Sequence, residues 1–243
     1  MRILSMIASR KGVILLLLGA IVLTLWAHDV PTEVTNEDET YAKHILAQAG
    51  YDHAALKVAQ PADFEAEVRT IKAVQDAVLT AAPDHKGLPF HAEREPKDIF
   101  ERKYGLCYDR SRAIEKILSW LGFETRHVAV YSTVNTSALQ ALFTPQVASH
   151  AISEALTRKG WMAVDSNARW IGLDQTRDAI SIDDIQSSGL RDWAGEISAP
   201  INGIFKGAFV QIRGLYSRHG YFYPPYTPIT DFNFRQVVGN VID

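Results

Sequence analysis

The chain has 243 residues and only one cysteine, Cys107. A single thiol excludes an internal disulfide framework and is too few for a thiolate zinc site. The histidines and acids show no close ligand pairing such as His-x-x-x-His, so no required metal is expected, and no cofactor either. Excess charge of one sign is lacking as well: 25 Lys and Arg stand against 28 Asp and Glu, a net charge of -3. Without a basic stripe there is no electrostatic footprint for a nucleic-acid partner. Short repeats and low-complexity tracts are missing too. What remains is 47% hydrophobic, enough for one globular domain of moderate size with appendages.

The first feature present is an uncharged aliphatic run, Gly12 to Ala27, preceded by Arg2, Arg10 and Lys11. It reads as a membrane-directed helix, residues 1–27 forming an anchor or signal segment. Trp26 at the far end suits an interface, and Leu25-Trp26-Ala27 is a poor small-x-small cleavage site, which favours an uncleaved single-pass anchor. The basic residues stay cytoplasmic, so everything after Ala27 is expected on the periplasmic or outer side, or secreted if the segment is cleaved. Residues 28–60 read as a polar linker followed by a short helix, Tyr41 to Gly50.

A longer helix is expected from about Pro61 to Ala82, with Phe64, Val68, Ile71, Val74, Gln75 and Val78 at helical spacing. Pro83 to Pro96 carries loop signals. Then comes Tyr104-Gly105-Leu106-Cys107-Tyr108-Asp109, with Ala113, Ile114, Ile117, Leu118 and Leu121 forming the apolar face of a helix that Gly122 stops. Cys107 thus falls in a first helical turn, where free backbone NH groups and the dipole favour a thiolate and offer donors to an oxyanion. Asp109 is read as a first-turn acid facing the dipole, without chemistry. In an oxidising compartment an unpaired thiol is reactive, bridged to another chain, or buried and inert.

Beyond Gly122 the period changes. Thr125 to Tyr131 reads as a strand containing His127, taken as structural because no acid accompanies it. Ser132 to Ser149 is a long connection with a short helix near Leu139 to Phe143. Two strands follow, His150 to Thr157 and Trp161 to Ser166. A two-residue loop, Arg158-Lys159, would set residue 152 opposite 165, making His150 and Asp165 diagonal neighbours on one sheet face. A carboxylate there would orient the imidazole and stabilise its charged form, as a general base requires.

Gly105-x-Cys107-x-Asp109 with its helix, then Leu121-Gly122-Phe123-Glu124-Thr125-Arg126-His127-Val128, then His150-Ala151 and Gly160-Trp161-x-x-Val164-Asp165, resemble the blocks of the transglutaminase-like superfamily of papain-like thiol enzymes. Arg94-Glu95-Pro96-x-Asp98-Ile99 is similar to the approach to its cysteine. The resemblance covers about Phe64 to Leu173. It departs at Ile152, where an aromatic often follows His-Ala.

The resemblance implies an α+β fold, with a nucleophile helix packed on an antiparallel sheet in a catalytic core at 61–173. It also implies a triad of Cys107 as nucleophile, His150 as base and Asp165 as orienting acid. The implied chemistry is acyl transfer or amide hydrolysis through a thioester on a protein or peptide substrate, with the Cys107 backbone NH as one oxyanion donor and the second unidentified. Residues 174–243 are expected to pack on this core as an extension, with a short helix at Ile182 to Ile185. The aromatic and proline-rich stretch Tyr216 to Pro228 would pack over the sheet or line a groove. The alternative reading is a non-catalytic envelope binding or assembly module on the same fold, linked to surface polysaccharide machinery.

Overall fold

The computed structural model describes residues 10–27, 29–56, 63–89, 92–144, 147–188, 202–216 and 232–242. Most of the Tyr216 to Pro228 stretch, and the Pro61-Ala62 start expected for the long helix, lie outside these residues.

Helix α1, Arg10–Ala27, forms where the aliphatic run predicts it. Its side chains from Val13 to Leu23 are exposed, so nothing described in the fold covers them. Among the described residues, however, no helix is long and apolar enough to cross a membrane. At about 1.5 Å per residue, 18 residues rise only about 27 Å, short of the roughly 30 Å of hydrocarbon.

Within the stretch read as linker, residues 29–39 make more regular contacts than expected. Val30 N donates to Phe232 O at 2.9 Å. A capping box of Thr35 and Asp38 starts α2, Asn36–Gln48, five residues earlier than the periodicity of its apolar stripe suggests. Ala42, Ile45 and Leu46 of α2 are buried in the main core. A short turn of helix, α3, covers His53–Leu56. Asp63 caps α4, Phe64–Ala81, accepting from Ala66 N at 2.7 Å. Pro96 at the first position starts α5, Pro96–Arg102. Helix α6, Cys107–Trp120, ends at Gly122, whose φ of 102° only glycine adopts freely.

Four strands form one antiparallel sheet in the order β3-β2-β1-β4: β1 Thr125–Ser132, β2 Ser149–Thr157, β3 Gly160–Asp165 and β4 Phe209–Arg213. Between them lie α7, Ala138–Phe143, α8, Ile182–Ser188, and a 3-10 turn, Gly203–Lys206; α9, Phe234–Ile242, follows β4. The pleat divides the core in two. Ala155, Met162 and Val164 point toward α2, α4 and α6. Val128, Val130, Ile152 and Ala163 point the other way, under Ile180, Ile182, Ile185, Phe205 and Phe209. The stretch after residue 173 therefore supplies both an edge strand and one layer of the core.

The Arg158-Lys159 loop joins β2 and β3 in the expected register: Thr157 faces Gly160 and Ile152 faces Asp165. The observed architecture is thus α+β, with a helix layer on a four-stranded antiparallel sheet.

Candidate active site

Three elements converge at one end of the sheet. Gly105 lets the chain enter α6 tightly: a Cβ there would lie 2.8 Å from the Ile99 side chain. Cys107 is the first residue of α6, packed against Tyr108 and Ala151 and only 5% exposed. His150 is the second residue of β2 and Asp165 the last of β3.

His150 Nε2 lies 2.9 Å from Asp165 Oδ2, with both side chains buried. The ring's other nitrogen, Nδ1, has no hydrogen-bond partner among the described residues. That nitrogen is the one left for the thiol. Burial alone would lower the proton affinity of His150, but the Asp165 carboxylate, its hydrogen bond and the neighbouring Cys107 outweigh it and push the pKa up to about 10.

The carboxylate is itself held rigidly. Asp165 Oδ1 accepts from Asn167 N at 2.6 Å and Ala168 N at 2.7 Å, leaving Oδ2 for the imidazole. Gln75, reaching in from α4, donates to the carbonyls of Asp165 at 2.8 Å, Ala168 at 3.1 Å and Trp170 at 2.6 Å. Ser166 Oγ donates to Ala151 O at 2.6 Å, stapling β3 to β2 beside His150. Phe205 meets the His150 ring edge-on at 5.8 Å between centroids and closes the far side. Such an arrangement can fix one tautomer, stabilise an imidazolium and exclude water.

Asp109 is more than a dipole acid. It is fully buried, and its Oδ2 accepts from Leu106 N at 2.9 Å and Leu88 N at 3.1 Å, tying the loop before α5 to the start of α6. Burial, only partly offset by these bonds and by Arg94 and Arg110, pushes its pKa up to about 6. His127 also differs from expectation, since an acid does accompany it: its Nδ1 lies 2.8 Å from Glu115 Oε1 on α6. Tyr216 stacks on that ring at 4.0 Å and donates its hydroxyl to Glu115 Oε2 at 2.9 Å. Ser153 Oγ donates to the same carboxylate at 3.1 Å. This cluster contains no nucleophile at a helix start, and it anchors Tyr216 to the helix.

Sequence reasoning missed Gln75, Asn167, Arg110 and His85 around Cys107, His150 and Asp165. For Gln75 a signal existed, a polar side chain on an otherwise apolar helical stripe. Asn167 and Arg110 are near Asp165 and Cys107 in sequence, two and three residues on, and only His85 is brought in from a distant segment. Among the described residues no three of His, Cys, Asp and Glu are grouped to hold a metal ion.

The site is defined by a lone cysteine at a helix start, facing a histidine and an aspartate on adjacent antiparallel strands. No protein-family model and no curated protein matches the chain.

Proposed function

We propose that the chain is a transglutaminase-like thiol enzyme, acting by acyl transfer or amide hydrolysis on a protein or peptide substrate. The observation that carries this reading is the 2.9 Å contact of His150 with Asp165, which leaves Nδ1 unpartnered beside Cys107. The Cys107 proton passes to Nδ1, giving a thiolate and an imidazolium held by Asp165. The thiolate adds to the substrate carbonyl, whose oxygen takes the charge at the start of α6, where the Cys107 backbone NH would serve as one donor. The C–N bond then breaks as the imidazolium protonates the departing amine, leaving a thioester. Water or a second amine, deprotonated by His150, breaks the thioester and restores the thiol.

The aliphatic α1 supports a membrane-directed segment ahead of the domain, tethered with Arg10 and Lys11 on the cytoplasmic side, or exported after cleavage. Fractionation of the full chain against a chain lacking residues 12–27 tests this. Equal recovery in the soluble fraction would remove the tether.

The enzyme reading is tested by iodoacetamide labelling of Cys107 at neutral pH in the wild type and in His150→Ala. Labelling at least about tenfold slower in the variant supports an activated thiol; equally slow labelling in both refutes it. One observation favours the second reading, a non-catalytic binding module: Cys107 is nearly closed off from solvent. A binding module tolerates Cys107→Ser with its cellular phenotype intact, and an enzyme does not.

A further inference from the structure

A guanidinium lies buried near the nucleophile, with no carboxylate among its hydrogen-bond partners in the described residues. Arg110 follows Cys107 by three residues on α6, which puts the two on one side of the helix. It is 3% exposed. Its Nε donates to Ala82 O at 2.9 Å, and its Nη2 to Asp84 O at 3.1 Å and Pro83 O at 3.4 Å. Its Nη1 donates to Asn167 Oδ1 at 2.9 Å and meets His85 Nδ1 at 3.4 Å. All five acceptors are neutral: three carbonyls, an amide and an imidazole. The His85 nitrogen must carry a lone pair, because a guanidinium has only hydrogens to offer.

Buried cations elsewhere on the same helix are treated differently. Arg112 is paired with Glu95, and Lys116 with Asp38 at 3.0 Å. A buried charge surrounded only by neutral acceptors is costly unless an anion stands nearby. Among the described residues, the charged and titratable groups facing Arg110 are Cys107 and Asp109 on its own helix, Asp165 on β3, and Asp84 and His85 in the turn after α4, with His150 on β2 acting on His85 beside it. Asp165 is already engaged by His150 and two backbone NH groups. Asp109 is held by two others. Burial holds the Arg110 proton affinity below the usual guanidinium range, and a negative charge on Cys107 would be the largest opposing influence, ahead of Asp109, Asp165 and Asp84.

We propose that Arg110 is a positioning residue: its guanidinium is the fixed counter-charge of the Cys107 thiolate, and through Asn167 it ties the start of α6 to the turn that holds Asp165. The connections close into a ring. Arg110 grips the Asn167 side chain, the Asn167 backbone grips Asp165, Asp165 grips His150, and His150 faces Cys107. The inference rests on the reading of Cys107 as a nucleophile. It adds a charge that the Cys-His-Asp set does not contain.

The test is the rate of iodoacetamide alkylation against pH in the full chain, for wild type, Arg110→Met, Arg110→Lys and His150→Ala, with thermal unfolding in parallel. In Arg110→Met the acid limb of the profile is expected to move up by about one pH unit, so alkylation on that limb is about tenfold slower. Arg110→Lys keeps the charge and should leave the limb within about a third of a unit, while losing thermal stability because an ammonium cannot span the five acceptors. Should the methionine variant fail to fold, Arg110→Gln keeps a donor, removes the charge and should show the same upward shift. A purely structural role would lower the unfolding temperature of both variants and leave the limb in place, which overturns the inference. If wild type alkylates no faster than His150→Ala, the nucleophile reading itself has failed. If wild type is activated but the neutral variants follow its profile, only the assignment of Arg110 has failed.

Discussion

His150 and Asp165 stand on adjacent antiparallel strands, diagonal to one another on one sheet face, with Nε2 2.9 Å from Oδ2. A slip of one residue in the Arg158-Lys159 hairpin would send the two side chains to opposite faces. The pairing is therefore a property of register, and its consequences are measurable.

The first consequence is a pH dependence of stability. His150 holds its proton up to about pH 10 in the folded chain against 6.5 ordinarily. Between these values the native state binds a proton that the unfolded state has released, so the stabilisation is complete below about 6.5 and is lost as pH rises toward 10. The unfolding temperature of wild type should fall across that window, and that of His150→Gln should fall less. A wild-type stability that rises from pH 7 to 10, relative to the variant, would contradict the protonated pair.

Asp109 has the same sign in a lower window. Its pKa is pushed up to about 6 from 3.8 by burial, so its contribution is present below about 3.8 and declines as pH rises through 6. Asp109→Asn should flatten that decline while keeping an acceptor for Leu106 N and Leu88 N. Asp109→Leu leaves both donors unmet and should cost about 2–4 kcal/mol by urea unfolding.

Lys116 and Asp38 form an ion pair at 3.0 Å with both side chains buried. Burial would raise the Asp38 pKa, but the Thr35 backbone NH, Lys116 and the Thr35 hydroxyl together lower it. Lys116→Met strands the carboxylate and should cost about 3–5 kcal/mol. The double variant with Asp38→Leu should recover most of the loss, and no recovery would show that the pair is not coupled.

Gly172 is required by close approach, not by its dihedral angles. A Cβ there would lie 2.0 Å from the Ile180 carbonyl oxygen, on the strap bonded to β3 through Gly172 N to Ala163 O at 2.7 Å. Gly172→Ala should cost roughly 3 kcal/mol or more, because backbone must move. An unfolding midpoint within error of wild type would refute the contact.

Much of this was legible along the chain. Helix α6 could be placed because five apolar residues recur at helical spacing and Gly122 ends them. The β2–β3 register could be placed because only two residues separate two strand-forming runs. Strand β4 was not read: it has five residues, and four of them are only half-buried, so alternation is weak. The start of α2 was missed although Thr35-x-x-Asp38 is a capping signal, because its first turn is polar and resembles a linker. The groups that Gln75 and Glu115 reach were beyond local pattern. Gln75 meets carbonyls 90 to 95 residues away, and Glu115 reaches His127 from a helix to a strand.

The central claim is that Cys107 and His150 form a thiolate and imidazolium pair, and with one cysteine in the chain the ultraviolet absorbance of thiolate reports it directly. On titration from acid, wild type should show that absorbance already developed at neutral pH, and His150→Ala should develop it only near the ordinary thiol range of about 8.5. Coincident curves for the two proteins, both rising near that ordinary range, would contradict the account.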